Sequence, residues 1–216
     1  MSILSLLFPN RYICYMCMER TDTEGYICTD CLNRLEFVHK EISIESPYIN
    51  KVYYSLYYNR YVREKIKEYK YNGKNYLCKP FGNIMIDTIE EKKLLGEIEL
   101  ISYIPSHRRK EVLRGYNQAE LLAEYIAKRL NKPLLKNNLV KLKWTENQTH
   151  SNKAERAINL RDSFHIKNPI EIKDKKILLI DDIITTGATM EECSRVLMNS
   201  GAREIIGLAL TSSKQL

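Results

Sequence analysis

The chain has 216 residues, enough for one ordinary domain with a small appendage and a sizeable buried core. An apolar fraction of 44% and a charged fraction of 28% are those of a soluble globular protein. No stretch approaches the roughly 18–20 consecutive apolar residues of a membrane span. Thirty-four basic against 27 acidic residues leave a net charge of +7, which favours anionic partners such as phosphorylated metabolites or nucleic acid. A Lys-rich surface that is merely solvated would give the same count.

The first residues, Met1-Ser2-Ile3-Leu4-Ser5-Leu6-Leu7-Phe8-Pro9, are apolar but few. They lack a basic leader and a small-residue cleavage site, so a short amphipathic helix is expected rather than a signal peptide, and a cytoplasmic location with it. Next come two identical pairs, Cys14-Tyr15-Met16-Cys17 and Cys28-Thr29-Asp30-Cys31. A C-x2-C turn aims two thiolates at one point, and a second such knuckle completes a tetrahedral S4 site for structural Zn²⁺. Gly25 lies between the pairs, in a segment long enough for a hairpin that brings them together. Redox pairs or disulfides are the alternatives; disulfides fit poorly without a secretion signal. With four protein ligands no position is open to substrate, so the ion would fold the module rather than catalyse. Cys78 and Cys193 stand alone and are expected to be buried and structural.

Residues 32–50 carry charges, Ser46 and Pro47, and read as a connector. Residues 51–58 are rich in β-formers and predict a strand. Residues 60–70 are basic, with Val62, Ile66 and Tyr69 at helix spacing, and Asn72-Gly73 ends that helix. A second helix is predicted over about 76–94. Strand and helix then alternate: a strand at 99–104 halted by Pro105, a helix over 117–130, a strand at 139–142, and a short helix near 152–160. The continuous apolar run 176–180 predicts a strand buried on both faces. A helix over 190–200 and a strand over 204–211 complete a pattern that implies an α/β, doubly wound, mainly parallel sheet.

The strongest chemical signal follows the buried run: Asp181-Asp182-Ile183-Ile184-Thr185-Thr186-Gly187-Ala188-Thr189. Open α/β sheets bind ligands at the C-terminal ends of their strands, where the two carboxylates are expected. Gly187 allows backbone amides close to an anion, the threonines add donors, and the next helix presents free N–H groups. Thr189 and Glu192 are spaced as a capping box that would start that helix. One carboxylate can accept from vicinal ribose hydroxyls, and both can help hold a divalent cation. Alternatively the acidic pair only caps a turn. No Walker A loop occurs.

This strand, Asp-Asp, Thr-Thr-Gly-x-Thr and helix combination resembles the phosphoribosyl pyrophosphate (PRPP) signature of type I phosphoribosyltransferases. Four further segments narrow the resemblance to the ComF family, the competence-associated phosphoribosyltransferase-like proteins. They are the twin cysteine pairs; Tyr54 to Gly73, including Arg63 and Lys70; Ile104-Pro105-Ser106-His107-Arg108-Arg109 with Arg114-Gly115-Tyr116-Asn117-Gln118; and Gln148, Arg156, Asn159 and Phe164. The resemblance implies a zinc-ribbon module over 1–45 and a phosphoribosyltransferase-like domain over 46–216. It implies PRPP, with Mg²⁺, on Asp181, Asp182, Thr185, Thr186, Gly187, Ala188, Thr189, Arg108, Arg109 and Arg114, with Asp181 and Asp182 as the catalytic pair if transfer occurs. It also implies a flap at Gln148 and Arg156. Family members often carry Arg in the strand before that flap; Lys141 and Lys143 stand there here, keeping charge without a bidentate fork.

The expected role is PRPP binding in natural competence, in the uptake of transforming single-stranded DNA by partner machinery. The alternative is an active transferase that releases pyrophosphate to an acceptor the residues do not identify. The tyrosine-rich basic stretch from Lys51 to Lys74 suits base stacking, or else packs its tyrosines into the core.

Overall fold

A computed structural model describes residues 12–21, 24–143 and 160–213. In chain order the strands are β1 (Tyr12–Ile13), β2 (Arg20–Thr21), β3 (Phe37–Glu41), β4 (Lys51–Tyr57), β5 (Leu100–Tyr103), β6 (Leu139–Lys141), β7 (Phe164–Ile166), β8 (Lys176–Ile184) and β9 (Glu204–Ser212). The helices are α1 (Thr29–Leu32), α2 (Arg60–Tyr71), α3 (Cys78–Glu91), α4 (Arg108–Arg114), α5 (Gln118–Leu130) and α6 (Ala188–Asn199).

Five strands form the central sheet in the order β3-β4-β9-β8-β5. The pairs β4–β9, β9–β8 and β8–β5 are parallel, and β3 is an antiparallel edge. Ile177, Leu178, Leu179 and Ile180 are each at most 1% exposed, as their unbroken apolar run requires of a strand covered on both faces. The covering helices lie on opposite sides. Ser55 bonds Thr88 of α3 at 2.6 Å, whereas the face of Val52 meets Gly207 and Met190 of α6. Ser55 lies three positions after Val52, an odd offset, so their side chains leave opposite faces of β4. This is the doubly wound arrangement expected.

Three expectations change. The stretch read as a connector, lying within the segment expected as the N-terminal module, supplies β3: its charged residues point to solvent because β3 is an edge. The loop expected after Pro105 contains α4, which buries no residue and therefore leaves no apolar periodicity to read. β8 does not stop before Asp181 but runs on to Ile184, because Asp181, Ile183 and Ile184 stay in register with Ala209, Thr211 and Ser212 of β9. The helix expected near 152–160, with Gln148, Arg156 and Asn159, lies outside the described residues, as does the amphipathic start. Among the described residues no helix is long and apolar enough to cross a membrane.

Candidate functional site

The four cysteines come together. Their sulfur atoms all lie within 4.8 Å of one another, and Cys17 Sγ and Cys28 Sγ are 3.9 Å apart. Zn–S bonds of about 2.3 Å in a tetrahedron put sulfurs about 3.8 Å apart, so the cluster already has the dimensions of a zinc site. The Cys28 N–H donates to Cys14 Sγ at 3.3 Å, an outer-shell bond that fixes one ligand. The antiparallel pair β1–β2 flanks the first knuckle, and Gly25, with φ +133°, lies in the bend that leads from β2 to the second. The module leans on α3: Tyr15 packs on Tyr26 and Tyr76 at 5.1 and 5.6 Å, and Lys79 sits over the Tyr15 ring at 5.5 Å. A divalent cation bound by four thiolates has no open coordination position, so its work is structural.

At the other end of the molecule β8 outruns its neighbour. β5 pairs with Ile177 to Ile180 and stops, while β9 continues beside β8 to Ser212. Asp181 and Asp182 therefore sit where one edge of β8 loses its strand partner, at the C-terminal end of the sheet. The Asp182 N–H donates to Asp181 Oδ1 at 2.8 Å, which turns that carboxylate back over the strand. Burial, then the charge of Asp182, pushes the Asp181 carboxyl up to about 8 against a partial pull from Lys70. Asp182 is buried and accepts from Lys70 Nζ at 2.8 and 3.0 Å.

The loop after β8 leads directly into α6. Thr185 is exposed, Thr186 and Thr189 are half-buried, and Gly187 and Ala188 are buried. Gly187 has φ +85°, a region a side chain would strain, and a Cβ there would meet Ile44. The Ala188 N–H donates to Thr186 Oγ1 at 3.3 Å. The expected capping box does not form: Gly187 is the N-cap, Thr189 lies inside the helix, and Glu192 instead binds Arg195 at 2.8 Å. A shift of two residues is enough to undo that motif, because the αL conformation of Gly187 begins the helix earlier.

Cations from three elements converge here. Lys70 ends α2 on Asp182. Arg114 ends α4, donates to Gln118 Oε1 and to the Tyr71 hydroxyl at 3.1 Å each, and covers the Tyr71 ring at 4.8 Å. Burial, followed by the charges of Lys141, Arg114 and Lys70, pushes Lys110 down to about 8. Lys141, also lowered by burial, lies over the Phe164 ring at 5.4 Å. A group of positive side chains beside two carboxylates and a helix N-terminus suits a ligand with both anionic and hydroxyl groups.

Of the three expected arginines, Arg114 is the one tied to residues around Asp182; Arg108 and Arg109 stand exposed on the first turn of α4. Asn117 caps α5, accepting from the Ala119 N–H, and its amide donates to Ile104 O just past β5, both at 3.1 Å. Tyr116 Oη donates to Tyr69 O, and Tyr69 Oη to Gln118 O at 2.8 Å, so the Arg-Gly-Tyr-Asn-Gln segment fastens α2 to α5. Lys110 was not foreseen, and Lys70 only as part of a motif; the signal for Lys70 was its place just before the Asn72-Gly73 turn. The tyrosine-rich stretch mostly takes its blander role: Tyr53, Tyr54 and Tyr69 are buried, and Tyr71 is 62% exposed.

The comparisons agree with this geometry. Residues 117–215 match the phosphoribosyl transferase domain, the segment that carries β8, its acidic pair and the following loop. Competence protein ComFC of Bacillus subtilis is 29% identical over 92% of this chain and 82% of its own length. Competence protein F of Haemophilus influenzae is 25% identical over 89% of this chain and 87% of its own. The DNA utilization protein YhgH of Escherichia coli is 20% identical over the same shares, 89% and 87%. Fold and strand-end site thus define a phosphoribosyltransferase-like domain behind a four-cysteine module. The chain is similar to the ComFC-like proteins over about nine-tenths of its length.

Proposed function

We propose that this is a ComF-type protein that binds PRPP at the end of β8 and serves natural competence through the handling of transforming single-stranded DNA. The observation that carries the ligand is the meeting of Asp181 and Asp182 with Lys70 beside the Thr185–Thr189 loop, with Arg114 held on Tyr71, the residue after Lys70. In this reading the loop amides and threonine hydroxyls take the 5′-phosphate. The carboxylates take the ribose hydroxyls and, with Mg²⁺, part of the pyrophosphate, whose remaining charge falls to Arg114, with Arg108 and Arg109 at the rim. Zn²⁺ on Cys14, Cys17, Cys28 and Cys31 holds the N-terminal module, which we take to end before Phe37 because β3 belongs to the sheet. The role in DNA handling comes from the competence and DNA-utilization names of the relatives, which align over most of the chain.

Calorimetric titration of the zinc-loaded protein with PRPP and Mg²⁺ tests the ligand. Binding by the wild type that vanishes in Asp181→Asn/Asp182→Asn is the expected result. Absence of binding by a folded wild type overturns the assignment.

A further inference from the structure

We propose that the outer face of α2 is a track for single-stranded DNA that ends at the Tyr71–Arg114 stack beside the PRPP site. The proposal rests on the DNA-handling reading above and adds the surface. Its starting point is how α2 spends its charges. The helix buries Val62, Ile66 and Tyr69. Arg60 is paired with Glu64 at 3.1 Å, Lys65 and Lys74 both reach Glu68 at 3.0 Å, and Lys70 is on Asp182. Arg63 and Lys67 are exposed, and among the described residues their charged ends have no partner. They precede Tyr71 at successive four-residue steps, so the three side chains follow one line of about 12 Å along the helix.

Tyr71 closes that line in an unusual state. Its ring is held by the Arg114 guanidinium, through both the face and the hydroxyl, yet the residue is 62% exposed. An aromatic ring already fixed in place loses little freedom when a base stacks on it, and Arg114 adds a cation at the same point. Cations followed by a pinned, solvent-facing ring match a polymer that carries phosphates and unpaired bases together. The ring selects a single strand. Tyr71 can stack only on a base with a free face, and a duplex keeps its bases paired and stacked on one another. An acidic protein surface would use the cations but has no need of the ring.

The test uses the full-length zinc-loaded protein and a labelled oligothymidylate, with affinity measured across a salt series. In Arg63→Ala/Lys67→Ala the salt slope should fall by about 1.4, since each phosphate of a single strand that is no longer neutralised removes about 0.7. Tyr71→Ala should weaken binding roughly ten-fold or more with little change of slope, and Tyr71→Phe should retain most of the affinity. PRPP binding by Arg63→Ala/Lys67→Ala should equal that of the wild type, which also reports that the variant is folded. If the wild type binds the oligonucleotide and these variants bind it equally well, the track is wrong while the DNA-handling reading stands. If the wild type does not bind at all, that reading fails and the track with it. Equal affinity for a duplex of the same length, lost equally in the variants, overturns the assignment to single strands.

Discussion

Around the four cysteines, regular structure among the described residues amounts to two strands of two residues each and one turn of helix. At the other end of the molecule, Asp181 and Asp182 stand on a nine-residue strand in which Ile177 to Ile180 are enclosed. On the zinc reading proposed above, the first region is held by the cation that joins its thiolates. The second is held by hydrophobic burial, about 1.5–3 kcal/mol for each enclosed Ile or Leu, and can therefore tolerate like charges placed where they strain the fold. On that reading one region would draw on a metal's binding energy, whereas the other uses surplus packing to keep a charged site that opposes folding.

The sharpest break between them should come from removing zinc. Chelation, or Cys31→Ser, should abolish the module's structure, since binding of a structural zinc ion is worth on the order of 10 kcal/mol. The Tyr15–Tyr26–Tyr76 cluster would lose its near-UV signal and the first residues would become open to protease. The central sheet should survive, and its far-UV signal and PRPP binding with it. Cooperative loss of both regions at one chelator concentration would show that the comparison is false and that the module is part of the domain's core.

The two regions also differed in how far they could be read beforehand. The cysteine spacing was legible because a metal site is a local code: two short motifs contain all four ligands. The buried strand was legible because Ile177 to Ile180 can occupy few other environments. What escaped was decided by backbone or by distance. β8 continues past its carboxylates because β9 keeps pairing with it, which the side chains at 181–184 do not announce. β3 hid behind Val38-His39-Lys40-Glu41, and its register against β4 is interrupted between Phe37 and Lys40. The Lys70–Asp182 ion pair spans 112 residues of chain. A motif can mark each partner there, but only the fold can join them.

That ion pair provides the next test, since it is the charge compensation on which the strained site relies. Lys70→Met preserves much of the side chain's bulk and removes its charge, leaving buried Asp182 next to Asp181 without its closest cation. Breaking one side of a largely buried pair should destabilise by about 2–3 kcal/mol, read from the denaturant midpoint at unchanged slope. Adding Asp182→Asn should recover most of the loss, because the penalty belongs to the orphaned carboxylate rather than to the missing lysine. A double variant as unstable as the sum of the singles would place the role of Lys70 in packing.

Asp181 supplies the smallest effect and the most specific one, because there the substitution should stabilise. Its ordinary value is 3.8, and in the folded chain burial and Asp182 push it up to about 8. The folded state therefore holds a proton that the unfolded chain releases across that interval, so stability falls as pH rises from about 4 to about 8 and the full penalty is present above it. Asp181→Asn removes the penalty. In buffer free of divalent cations its melting temperature should exceed that of the wild type by a few degrees at pH 8, for a gain of about 1–2 kcal/mol in a chain of this size, and the difference should close towards pH 5. The same substitution should weaken PRPP binding, so stability and ligand affinity would move in opposite directions, as expected where a site is kept against the interest of the fold. A gain independent of pH would assign the effect to shape or hydrogen bonding instead of charge and remove the electrostatic half of the contrast with the cysteine module.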